Sequence, residues 1–143
     1  MNVIYKKYYI IMLACTLTAG ACQIEKVDKV TFSFTEALAS KHPNYREIIE
    51  KYLCSLPKVD SARDIVELQL KALHNRIKDS DYRIFRYEEG SDLFIKYLKR
   101  GDEVFKITEN DEVITYLILN NKKIVSFSAM NKGKQIIPIS VCR

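Results

Sequence analysis

The sequence predicts an α+β domain, with two N-terminal helices packed on one face of a five- to six-stranded antiparallel meander sheet. Three observations predict it. Between positions 43 and 78, apolar residues recur at helical spacing in two stretches. From position 82 onward, short β-rich segments are separated by turn residues. Three turns, each read on its own, lead to the same apolar face, and such agreement across levels is evidence for a fold.

The helices come first. Val30, Phe32 and Phe34 alternate with Thr31 and Ser33, which reads as a short strand ahead of them. His42-Pro43 opens a helix, because proline suits the first helical position. Tyr45, Ile48, Ile49, Tyr52, Leu53 and Leu56 form one stripe, and Pro57 ends it. Asp60 or Ser61 caps a second helix that runs to about Lys78. Its apolar set, Ile65, Val66, Leu68, Leu70, Ala72, Leu73 and Ile77, makes a broad face.

The sheet follows. Tyr82 to Tyr87 is β-rich. Residues 93–98 read as either strand or a helix capped by Ser91; the strand places Tyr97 opposite Phe105 and Ile95 opposite Ile107. Asn110-Asp111 as a two-residue loop pairs Ile107 with Ile114 and Phe105 with Tyr116. Asn120-Asn121 as the next loop pairs Ile114 with Phe127 and Tyr116 with Val125. Asn131-Lys132-Gly133, with Gly133 left-handed, pairs Ile137 with Phe127 and Ile139 with Val125. The implied core face is Phe105, Ile107, Ile114, Tyr116, Ile118, Val125, Phe127, Ala129, Ile137, Ile139 and Val141. Pro138 lacks an amide hydrogen, so the last strand reads as an edge. The opposite face carries Val104, Val113, Leu117, Ile124 and Ile136, more apolar than a solvated face needs. Those five residues are a candidate binding face, unless the chain covers them itself.

The chain starts with a targeting segment. Lys6 and Lys7 precede the apolar run from Tyr8 to Leu17, which is too short to span a bilayer. Ala19-Gly20-Ala21 is a small-residue cleavage site followed at once by Cys22. Leu17 to Cys22 resembles the lipobox of bacterial lipoproteins, which ends in the cysteine that is lipidated. The resemblance implies a lipid on Cys22 and a membrane as partner. Ala19-Gly20-Ala21 also fits ordinary secretion, and both readings cut after Ala21. The organisation is then residues 1–21 as signal peptide, 22–29 as tether and 30–143 as one domain. Removing Cys15 with the leader and lipidating Cys22 leaves Cys54 and Cys142 as an even pair in an oxidising compartment, where a disulfide is expected.

Chemistry is harder to find. The whole chain carries 23 basic and 18 acidic side chains. Losing Lys6 and Lys7 leaves 21 against 18, too even a balance to argue for nucleic acid. His42 and His74 lack a second ligand at chelating spacing, so no metal site is expected. No Cys-x-x-Cys, nucleophile elbow or glycine-rich phosphate loop occurs, and no cofactor or catalytic residue is assigned. Lys96, Lys99, Arg100, Lys106, Lys122, Lys123, Lys132 and Lys134 gather at strands and turns, either to protect edges or to meet an anionic partner such as lipid headgroups. The expected function is that of a non-enzymatic envelope lipoprotein that binds a protein, of inhibitor, immunity or assembly type. Two alternatives stand beside it: a small-ligand carrier with a cystatin-like or nuclear-transport-factor-like pocket, and an enzyme whose carboxylates are hidden among the 18 acids.

Overall fold

The computed structural model describes residues 28–87 and 94–142. The leader, Cys22, the tether as far as residue 27, and Ser91 lie outside the described residues. Among the described residues, three helices, α1 (Lys29–Ala39), α2 (Tyr45–Tyr52) and α3 (Ala62–Ile77), precede the strands. These are β1 (Arg83–Arg86), β2 (Phe94–Ile95), β3 (Glu103–Glu109), β4 (Glu112–Asn120), β5 (Lys123–Lys132) and β6 (Gln135–Ser140). The fold class is α+β. Five strands are antiparallel in the order β1-β3-β4-β5-β6, and two-residue β2 adds to β6 in parallel.

Helix α1 replaces the strand expected at residues 30–34. Asp28 starts it by accepting hydrogen bonds from the amides of Val30 and Thr31, at 2.7 and 3.3 Å. Phe34 and Leu38, four apart, are wholly buried beside Thr31 and Thr35, while Phe32 turns outward. The alternation of phenylalanines was a coincidence of spacing; the helical period governs burial. Asn44 caps α2 through Glu47, and His42 stays exposed outside the helix. Helix α2 ends at Tyr52, five residues before Pro57, because Leu53 goes extended and bridges Ile124 of β5. Ser61 precedes α3 without a side-chain cap bond.

The helices and sheet share one core cluster. Phe34, Leu38, Ile49, Leu70 and Ile77 pack with Phe105, Ile107, Leu117, Ile124 and Phe127. The Phe34 and Phe127 rings lie 6.2 Å apart. A smaller cluster on the other side joins Ile95, Val104, Tyr116, Ile118 and Ile136.

The registers differ from the expected ones for a physical reason. The Asn110-Asp111 turn forms as expected, with both residues at positive φ. Glu109 pairs Glu112 and Thr108 pairs Val113, but a bulge then shifts Ile107 onto Thr115 and Phe105 onto Leu117. One extra residue inverts the faces of everything beyond it. Leu117 and Leu119 therefore face the main core, and Tyr116 and Ile118 face the smaller cluster. The next turn is Asn121-Lys122 rather than Asn120-Asn121, because Asn120 is held in strand, donating to Asp102 at 2.7 Å. Further bulges follow between Ile118 and Leu119 and between Ser126 and Ser128. The last turn is Gly133-Lys134, with Gly133 left-handed as expected and Lys132 paired with Gln135. Residues 94–98 do not form the expected hairpin with β3. That edge of β3 belongs to β1, which pairs Ile84 with Ile107 and Arg86 with Phe105. Strand β6 is not wholly an edge either: β2 covers Gln135 and Ile136 and leaves Pro138 beyond its reach.

Candidate functional site

The candidate binding face does not exist as one surface. Leu117 and Ile124 are fully buried against the helices. Val104 and Ile136 are buried in the smaller cluster, against which Tyr87 and Leu98 pack. Only Val113 is exposed. The bulges of β4 and β5 separated these residues, and part of the second face is closed by the chain itself.

Exposed apolar surface appears elsewhere, on α3. Val66, Leu70, Leu73, His74 and Ile77 are its buried positions. Ile65 and Leu68 stand 54% and 68% exposed, with exposed Ala72 in line at the i, i+3, i+7 spacing. Val59, just before the helix, is 62% exposed. Exposed Arg63, Asp64 and Lys71 lie around them. The broad apolar face in the sequence thus splits into a buried and an exposed stripe.

Two open clefts stand out among the described residues. The first, of about 540 Å³, is lined by Glu50, Cys54, Lys99, Asp102, Asn120, Lys123 and Cys142 among others. Asp102 and Asn120 already serve the fold: Asp102 accepts from the Lys99 amide at 2.7 Å and from Asn120. The second, of about 360 Å³, is lined by Lys29, Val30, Ser33, Lys51, Tyr52, Lys122 and Lys123. Lys123 donates to the Lys51 carbonyl at 2.8 Å, and the Lys51 ammonium lies 5.1 Å from the Tyr52 ring centre. No single run in the sequence announces this cluster, since its members come from α1, α2 and the β4–β5 turn.

The disulfide between Cys54 and Cys142 is present, with Cα atoms 5.9 Å apart and a sequence separation of 88. Strand β5 brings the two together. The Cys54 amide donates to the Ile124 carbonyl at 3.1 Å, and the Val141 amide to the Val125 carbonyl at 3.0 Å. Strand β6 stops at Ser140, and the end of α2 takes the place beside Ile124. Alternation no longer governs Cys142 once its chain has left the strand.

The histidines have structural settings. His74 is buried on α3, its Nδ1 donating to the Leu38 carbonyl at 2.8 Å and its ring edge-on to Tyr45. Burial raises the Tyr45 phenol above its usual range. Tyr116 is likewise raised, first by burial and then by the charge of Tyr87. Raised phenols move away from the near-neutral values that suit acid–base work. Among the described residues, no group of three metal-ligating side chains gathers, and no helix is long and apolar enough to cross a membrane. No protein-family model, curated protein or solved structure matches this chain.

Proposed function

We propose that the protein is a non-enzymatic, lipid-anchored domain of the bacterial cell envelope that acts by binding another protein through the outer face of α3. The observation that carries the binding role is the exposed stripe of Ile65, Leu68 and Ala72, with Val59 beside it. Apolar side chains at i, i+3 and i+7, rimmed by charges, suit a partner that offers a hydrophobic groove to a helix. The anchor rests on the leader and Cys22, and the bonded pair of Cys54 and Cys142 suits an oxidising compartment. Protein binding is preferred to ligand carriage because both clefts are open and bordered by charged side chains.

A photo-crosslinking residue in place of Leu68 tests this in intact cells. The expected result is one adduct of defined mass, lost when Ile65→Asp is added. Both positions are exposed, so the melting temperature should stay within a few degrees, as surface changes of about 0.5 kcal/mol allow. Absence of an adduct, or an adduct indifferent to Ile65→Asp, contradicts the assignment of this face.

A further inference from the structure

We propose that Lys29, Lys51, Lys122 and Lys123 form a docking surface for the anionic headgroups of the membrane to which the chain is anchored; this rests on the lipid anchor proposed above. Three segments remote in sequence bring four ammonium groups around one cleft. Lys29, Lys51 and Lys122 are exposed, and Lys123 is half-buried. No carboxylate among the described residues forms an ion pair with any of them. Two acids adjoin the cluster in sequence: Asp28 has an oxygen engaged by the amides at the start of α1, and Glu50, next to Lys51, pairs with Arg46 and Arg63. Like charges repel, so such a cluster is favourable where an anionic surface compensates it.

Its position names that surface. Lys29 begins α1, and the tether from Cys22 enters there. Seven extended residues reach at most about 25 Å, so an acyl chain on Cys22 holds the cluster close to the bilayer. Surface potentials act within about a Debye length, roughly 8 Å at physiological salt, a distance that direct docking satisfies. Each lysine at an anionic leaflet is worth roughly a fivefold gain in partitioning. The domain would then sit with its β4–β5 turn and the first turn of α1 against the headgroups.

The test is amine labelling of the mature protein, read residue by residue by mass spectrometry. The protein is mixed with excess vesicles of phosphatidylcholine alone or with added phosphatidylglycerol. Labelling of the four lysines should fall severalfold in the anionic vesicles, relative to Lys132 and Lys134 in the same molecule. High salt should restore it. Lys29→Glu with Lys122→Glu, both at exposed positions, should abolish protection of Lys51 and Lys123 while far-ultraviolet circular dichroism stays unchanged. Equal labelling in both vesicles overturns the proposal, as does protection by inorganic phosphate without lipid, which would mark a small-anion site. The intact mass reports acylation separately. An unacylated chain refutes the anchor, yet the docking surface still predicts protection at high concentrations of anionic lipid.

Discussion

Phe127→Asp is expected to unfold the domain, and Ser126→Asp, one residue away, is expected to do the same. Phe127 is 1% exposed, and its ring packs against Phe34. Placing an unpaired carboxylate there costs several kcal/mol, a large part of a total stability of roughly 5–15 kcal/mol. In an unbroken strand, the neighbour of a buried residue faces away from it, and Ser126→Asp would be harmless. The bulge between Ser126 and Ser128 changes that. Ser126 is 2% exposed, with its hydroxyl within 2.8 Å of the Ile139 carbonyl and 3.0 Å of the Ser128 carbonyl. A carboxylate at that site loses the donor and faces two carbonyl oxygens. Met130→Asp is the control: Met130 is largely exposed, and the change should cost about 0.5 kcal/mol or less. Urea denaturation of the three variants checks the order. A stable Ser126→Asp protein would mean that β5 alternates without a bulge.

Removing the disulfide carries the second large effect. Cys54 and Cys142 close a loop of 88 residues. Restricting the unfolded chain over that length stabilises by about 4–5 kcal/mol in the chain-entropy account. For a domain of this size, that corresponds to a fall in Tm of roughly 15 °C in the Cys54→Ala, Cys142→Ala double variant. The bonds that surround the bridge, Cys54 to Ile124 and Val141 to Val125, remain in the variant and should preserve the fold at low temperature. A reducing agent should lower the wild-type Tm by a similar amount and leave the double variant unmoved. Equal Tm values for the wild type and the double variant would show that the bridge adds nothing to stability.

Much of the architecture was legible because turns obey local chemistry. Asn110-Asp111 and Gly133 adopt the positive φ that their side chains permit. The disulfide was legible from cysteine parity taken together with the expected leader cleavage, Cys22 lipidation and oxidising compartment. The faces of β4 and β5 were not, because no glycine or proline marks the bulges, and each bulge displaces the register by one. Lys122 at φ 60° takes a turn position that Asn120 would suit better by type, since Asn120 is committed to Asp102. Parallel pairing of β2 with β6 depends on contacts 41 residues apart, such as Phe94 with Gln135, which no local pattern encodes. Helix α1 is hidden in the sequence because the alternation of Val30, Phe32 and Phe34 masks the cap at Asp28. The same limit applies to function. The stripe on α3 was visible as apolar residues, but which of them face solvent depended on where α1 and α2 pack. Half of the lysine cluster was legible, since Lys122 and Lys123 stand at a turn, but Lys29 and Lys51 join them only in the fold.

The intact mass of the protein extracted from membranes tests the central claim most directly. The proposed anchor on Cys22, together with the disulfide, predicts a chain that begins at Cys22, carries the added mass of acyl groups on that residue, and shows no thiol reactive to alkylation under denaturant. A chain that begins at Cys22 without added mass and with one alkylatable thiol, or one that keeps residues 1–21, would contradict it.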